Sequence, residues 1–504
     1  MTALVPRSRR WFFVVFGVLA IAALVPVWSA RVLPMLDIPA HLALVRGWHD
    51  LGDASFRLSE HYALRIRPVP YLLYYACVNA LMHVTPIELA NKLVLSAYLV
   101  ALPASVATLA RTLGRSPWLG LGAFALAYNP AWTFGYASYL TSVPVFFFAF
   151  AALCTYLEGG GRRGLAGFAA LSLLTYFGHV LTWAALVAAT LLLLVWDRAP
   201  RARRTHAVLA LLPSLALFLF TIVDERGSRA YVHGAPVASN AFLGSWRSPV
   251  EALAELPRRT LDLFPGHIDT AVLVVVIATT AFLAVRHGIG GSRRLVVAIF
   301  VVAAMWLLLP YEIRKPVVFF QISGRLPPLL ATLCLLLPAV REGEEPGFGF
   351  APPVLASLFL FATLTLLYRD FDRRNAAFFA IVDALPRGST TLVITREMMS
   401  GEHPEEKTGD PATSAPAYWC WNSWPAVLKG GYAPYAFDQG VPIVPTNRIV
   451  VPPFPPPDDL AREQAPGFDF YLLRRPTEVQ RASTSWHDVR HEGEWVLFAA
   501  GAKP

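Results

Sequence analysis

"PVPYLLYYACVNALMHV", residues 68–84, is an apolar stretch that either crosses a membrane or lies along its surface. The orientation of everything after it depends on which. Arg7, Arg9 and Arg10 stand before the first apolar run, "RSRRWFFVVFGVLAIAALVPVWSA" (7–30), and assign the N-terminus to the inside by the positive-inside bias. That run has a core of about 20 residues, longer than the 7–15 of a signal peptide, and reads as an uncleaved first span. Short basic loops follow: "RTLGR" (111–115), "GGGRRG" (159–164), "DRAPRARR" (197–204), "RHGIGGSRR" (286–294) and Arg341. They share one side only if an even number of crossings separates each from the next. A crossing at 68–84 would turn all of them outward. The stretch is therefore expected to lie on the outer surface, with Tyr71, Tyr74 and Tyr75 at the headgroup level.

The composition agrees with a membrane chain. Of 504 residues, 55% are hydrophobic and only 15% charged, with a mean hydropathy of +0.48; a soluble chain carries about 25% charged residues. The net charge of +9 sits mainly in the short loops, so nucleic acid is not an expected partner. Cys77, Cys154, Cys334 and Cys420 have no close neighbour in sequence, which argues against a disulfide framework or a zinc motif.

Parity then sorts the remaining apolar stretches. Residues 117–157 must turn back near "YNPAWTFGYAS", and 165–196 near "YFGHVLT". The expected fold is a mainly α polytopic helical bundle of eleven spans, N-terminus inside and C-terminus outside. The spans fall at about 11–30, 90–110, 117–134, 139–157, 165–178, 182–196, 206–223, 271–286, 295–310, 326–340 and 353–368. The acidic "REGEEPG" (341–347) fits an inside loop poorly. The outer loops are 31–89, 224–270 and 311–325. Residues 1–370 form the membrane domain and 371–377 a linker. Residues 378–504, with strand-like "TTLVIT", "RIVV", "FDFYLL" and "EWVLFAA", form a small mixed α/β extracytoplasmic domain.

Candidate chemistry gathers on the outer side. "LPMLDIPAHLALV" (33–45) opens the first outer loop with Asp37 and His41 one helical turn apart. Asp37 before Pro39 is also a helix-start signature, so its carboxylate reads either as a cap or as a general base facing a cavity. His41 reads as an interfacial packing residue or as a partner for phosphate or carboxylate. His179 lies at the outer turn of a hairpin, as a cavity residue or a helix-end histidine. "YEIRKPVVFFQISGRLPPLL" (311–330) carries Glu312, Arg314, Lys315, Gln321 and Arg325; Arg325 is the best placed to clamp a lipid phosphate, snorkelling being the plainer use. "YWCWNSWP" (418–425) offers tryptophans for sugar stacking or, more simply, for a core. There is no P-loop, no G-x-G-x-x-G after a strand, no G-x-S-x-G and no H-E-x-x-H. No spacing supports a divalent metal, and no cofactor is expected.

"PMLDIPAHLALVRGWHDLGD" (34–53) and "RPVPYLLYYACVNALMHVTPIELANKLVLSAY" (67–98) resemble the first outer loop and juxtamembrane helix of the GT-C class of membrane glycosyltransferases. That class includes protein O-mannosyltransferases and the aminoarabinose transferases of lipid A. The resemblance covers residues 1–370 as architecture and about 31–110 as sequence pattern. It implies an envelope enzyme of a bacterial inner membrane that takes a sugar from a polyprenyl-phosphate donor and passes it, with inversion, to a glycan, lipid or protein acceptor. Asp37 would be the base, and His179 stands roughly where some relatives hold a phosphate-binding lysine. Two positions depart from the family pattern: Ile38 follows Asp37 where many relatives have a second acidic residue, and Thr141 and Ser142 precede Pro144 where relatives often have an aspartate. Two other readings stay open. One is a non-catalytic membrane scaffold or polysaccharide-binding protein. The other is a lipid or solute transporter, which should show inverted repeats or buried mid-span charges.

Overall fold

The computed structural model describes residues 7–228, 243–263, 267–315, 319–344, 347–395, 420–434, 443–446, 467–476 and 486–501, with a few short pieces between them. Of the strand-like sequences, most of "RIVV" lies outside the described residues.

The chain is a helical membrane protein. Among the described residues six helices are long and apolar enough to cross a membrane: Arg9–Trp28, Ile87–Thr112, Ala137–Glu158, Arg201–Val223, Ile268–His287 and Ala351–Arg374. The elements that position the site are α1 (Arg7–Trp28), α2 (Ile38–His49), α3 (Leu72–Met82), α4 (Ile87–Thr112), α5 (Ala137–Glu158), α6 (Arg162–Gly178) and α7 (Val180–Trp196). Further along come α8 (Pro249–Thr260), α9 (Arg293–Leu308), α10 (Ala351–Arg374), α11 (Ala376–Ala384) and α12 (Trp424–Lys429).

The stretch 68–84 forms α3, a helix of 11 residues. At 1.5 Å per residue it spans about 16 Å, half the thickness of a bilayer core. Two of the three tyrosines turn into the protein, while Tyr71, just before the helix, stays partly exposed. Tyr74 and Tyr75 are buried, and the Tyr74 hydroxyl donates to Asn91 Oδ1 of α4 at 2.7 Å. A buried phenol needs a partner, and α2 and α4 supply one to each of these rings.

Residues 117–134 are not one helix. They break into Pro117–Gly122, Ala123–Ala127 and Pro130–Thr133, capped by Ser116 and Asn129. Gly120 lets this broken segment lie on α4: a Cβ there would sit 2.7–2.9 Å from the backbone and Cβ of Ala107. Residues 326–340 hold only a short helix, Leu326–Cys334.

Beyond α10 the chain forms a mixed sheet. Its strands are β4 (Thr391–Ile394), β6 (Phe470–Arg474), β7 (Trp486–Glu492) and β8 (Trp495–Ala500), in the order β4-β6-β8-β7. β4 runs parallel to β6, and β8 is antiparallel to both of its neighbours. Helix α11 covers this sheet through Phe378, whose ring lies 4.7 Å from both Trp421 and Trp495. Trp421 and Trp424 are buried, as core aromatics. Two more pairings tie loops together: β1 (Tyr62–Leu64) with β5 (Ile443–Pro445), and β2 (Leu243–Ser245) with β3 (Glu312–Lys315).

The sheet region is fastened to the membrane bundle around α2. Arg46 Nε donates to the Val427 carbonyl at 2.8 Å, and the Gly431 amide donates to the Phe56 carbonyl at 2.8 Å. Arg31 grips Asp383 with two bonds of 2.7 and 2.9 Å and Glu88 with one of 2.9 Å.

Candidate active site

Asp37 occupies the position before α2, with Pro39 in the first turn, but its carboxylate makes no capping bond. The cap reading therefore does not account for the side chain. The backbone is held instead by the turn ahead of α5: the Asp37 amide donates to Phe134 O at 3.0 Å and the Leu36 amide to Thr133 O at 2.9 Å. Gly135 makes this approach feasible. Its φ is +73°, and a Cβ would stand 2.8 Å from the Asp37 nitrogen.

The Asp37 carboxylate is half-buried and meets Cys420, whose Sγ lies 3.8 Å from Oδ1. Burial pushes the Asp37 carboxyl up to about 7; the nearby Arg325 guanidinium and the Cys420 thiol oppose this without cancelling it. Asp37 and Arg325 are thus close enough to feel each other, yet they form no ion pair within 4 Å.

Arg325 is fixed from several sides. Its guanidinium lies over the Tyr136 ring at 3.6 Å, Nη2 donates to Phe320 O at 3.0 Å, and its own carbonyl accepts from the Tyr139 hydroxyl at 2.6 Å. Nη1 stands 3.2 Å from His179 Nε2. His179 is buried in the extended link between α6 and α7, and its Nδ1 accepts the Leu181 amide at 3.1 Å, capping α7. Edges of Tyr71 and Tyr139 confine the ring.

This geometry has a chemical consequence. If Nδ1 accepts from Leu181, a neutral imidazole carries its proton on Nε2. That N–H then faces an N–H of Arg325, so two donors converge. Arg325 Nε is also buried without a hydrogen-bond partner. An oxyanion placed there satisfies these donors together, with charge-assisted bonds.

His41 belongs to the support. Its Nδ1 lies 2.6 Å from the Tyr75 hydroxyl, and it bonds the Gly135 backbone. Burial, reinforced by Arg325, pushes its pKa down to about 3, against the Gly135 bond. The ring is neutral at ordinary pH and braces the glycine that abuts Asp37.

The structure thus sets Arg325 against His179 and within electrostatic reach of both Asp37 and His41. The side chains of Arg314 and Lys315 lie outside the described residues. Gln321 is buried with a positive φ of 52°, in the turn that delivers Arg325. Gly135 and Tyr136 were not singled out by sequence reasoning, and Tyr75 and Cys420 were named there but not as site residues. Gly135 had a visible signal, a glycine in a predicted hairpin turn; Cys420 had none, being 383 residues from Asp37. Among the described residues no group of three His, Cys, Asp or Glu side chains is placed to hold a metal.

Among the solved structures to which this chain is similar are two glycosyltransferases. One is ArnT from Cupriavidus metallidurans bound to undecaprenyl phosphate, with a TM-score of 0.57 at 11% identity over 98% of this chain and 99% of that one. This is the GT-C glycosyltransferase fold. The other is the arabinofuranosyltransferase AftD from Mycobacteria, with a TM-score of 0.52 at 15% identity over 100% of this chain; the chain spans 42% of AftD. No family model and no curated protein matches the sequence. The GT-C fold and the apolar helices together make the chain an integral, multi-pass membrane protein.

Proposed function

We propose that this protein is a membrane glycosyltransferase that moves a sugar from a polyprenyl-phosphate donor to a hydroxyl of an envelope acceptor, on the outer face of a bacterial inner membrane. The GT-C fold supports a transferase that uses a lipid-linked donor. The observation that supports these roles is that Arg325, in contact with His179, lies within electrostatic reach of Asp37 without pairing to it.

In this reading the Asp37 carboxylate takes the acceptor hydroxyl proton. The acceptor oxygen attacks the anomeric carbon, the bond from that carbon to the phosphate oxygen breaks, and its electron pair leaves on the phosphate. Arg325 and His179 donate to that oxyanion, so the leaving group needs no general acid. One displacement inverts the anomeric centre. His41 holds Gly135, and with it the backbone of Asp37. The membrane domain spans 1–370, and the region 378–504 is the extracytoplasmic domain that supplies Cys420. In this reading Asp37 opens the first outer loop of the N-inside orientation expected from the basic loops, and donor and acceptor bind on that side.

The test is transfer from a polyprenyl-phosphate sugar by Asp37→Asn. Turnover should fall by about 10²–10⁴, while binding of the polyprenyl phosphate is retained. Arg325→Ala should weaken that binding, and Arg325→Lys should not restore it, because the planar fork is lost. Unchanged turnover in Asp37→Asn rules out the base assignment.

A further inference from the structure

Helix α8 buries charged side chains and exposes an apolar stripe, with Glu251 and Arg258 exposed beside it. Ser248 and Glu251 close a capping box at its start, with Pro249 in the first turn. The side facing the protein sets charge beside Ala252 and Leu256: Arg259 is buried, and Glu255 pairs with both Arg247 and Arg259. Both guanidinium groups lie against the Tyr311 ring, at 3.5 and 5.4 Å. The outward side carries Val250, 76% exposed, and Leu253, 57% exposed, with Ala254 and Pro257 completing an apolar stripe. A helix on a water-facing surface shows the reverse arrangement.

The stripe continues onto elements beside it. Trp246 keeps its ring exposed while its Nε1 donates to the Leu308 carbonyl at 3.1 Å, at the end of the apolar helix α9. Leu308 itself is exposed. The β2–β3 pairing joins α8 to the turn that follows: Tyr311 N donates to Ser245 O, and Ile322 N to Tyr311 O, each at 2.8 Å. That turn exposes Phe319 and Phe320, and the Phe320 carbonyl holds Arg325.

We propose that α8, Trp246 and Phe319–Phe320 form a lipid-docking surface embedded in the leaflet on the site side of the membrane, covered by its hydrocarbon chains. The occupant follows from continuity. The patch begins at the last turn of an apolar helix, carries an indole anchored there as in interfacial aromatic belts, and has Arg258 exposed at its far end to reach headgroups. Its other end is the residue that holds Arg325, so a lipid-borne phosphate meets Arg325 with its chain along Phe320. This deepens the proposed function, but its test is independent of turnover.

The full chain in nanodiscs, with Cys77→Ser to remove an exposed thiol, is labelled with bimane at Val250→Cys, at Leu253→Cys, and at Val489→Cys on β7 as an exposed apolar control. Size-exclusion profiles matching the parent establish folding. Phosphatidylcholine brominated along its acyl chains should quench the labels at 250 and 253 by about twofold or more relative to the unbrominated lipid, as expected of a face buried about 5–10 Å into the bilayer interface. The label at 489 should be unaffected. Equal, weak quenching at all three positions overturns the proposal, whether the face meets water or a second copy of the chain. Loss of turnover in Asp37→Asn bears only on the catalytic reading, so the two can fail separately.

Discussion

Asp37 concentrates the electrostatics of the site in one carboxyl. Its unfolded pKa is near 3.9, and burial holds it at about 7 in the fold. Between those values the folded chain keeps a proton that the unfolded chain has lost. Stability therefore falls as pH rises from about 4 to about 7 and is level above that. Asp37→Asn should remove this part of the slope, giving a variant more resistant to heat in detergent at pH 8 than the parent; a difference of the opposite sign contradicts the burial. The same carboxyl works as a base only when ionised, so turnover should rise with pH to a midpoint near 7. Arg325→Ala, which removes an opposing charge, should move that midpoint to higher pH. The residue pattern in "MLDIPAHL" announced Asp37, but not whether its oxygen capped a helix. The cap failed because the carboxylate turns to Cys420 instead.

At the scale of elements, the periodic apolar runs located the long helices well, because each long helix needs its own apolar surface. They misread 117–134, where the segment is apolar throughout but broken by Gly120, Gly122 and the Asn129–Pro130 step. Its packing turns on Gly120. In Gly120→Ala the new Cβ meets Ala107 backbone atoms at 2.7 and 2.9 Å, which cannot swing away like a side-chain end. The segment and α4 must separate, at a cost of about 1–3 kcal/mol. A fall in the melting temperature of the detergent-solubilised variant would show it, and an unchanged value would contradict this close approach. The tyrosines of α3 are a similar lesson. Their composition suited a headgroup layer, but partners on α2 and α4, distant in sequence, took the phenols.

Across the whole molecule, the question is what fastens the C-terminal sheet to the bundle. The Arg31–Asp383 pair is bidentate, but both side chains are partly exposed, at 38% and 49%. A double-mutant cycle of Arg31→Ala and Asp383→Ala should find a coupling of no more than about 1 kcal/mol. The apolar junction should matter more. Trp421, 1% exposed, packs on Phe371 of α10 and on Phe378 and Phe379 of α11, so Trp421→Ala should cost about 3–5 kcal/mol. A larger effect from the ion pair than from the tryptophan would reverse this account.

Apolar run lengths and the placement of basic loops follow from local composition. For that reason the sequence alone determined that this is a multi-pass membrane protein and that Asp37 opens a loop beside Pro39. The parity of the basic loops set the expectation that residues 68–84 do not cross; the 11-residue length of α3 came from the structure. The sequence also named Asp37, His179 and Arg325 one by one. Only the tertiary structure decided that Arg325 touches His179 and stands within electrostatic reach of Asp37, because the three lie on segments up to 288 positions apart, positioned by the Gly135 turn, the α6–α7 link and the Gln321–Arg325 turn. It likewise decided that a cysteine from the last quarter of the chain touches Asp37, and that α8 shows its apolar side outward. Side-chain contacts across such separations depend on how helices pack, which no local pattern encodes.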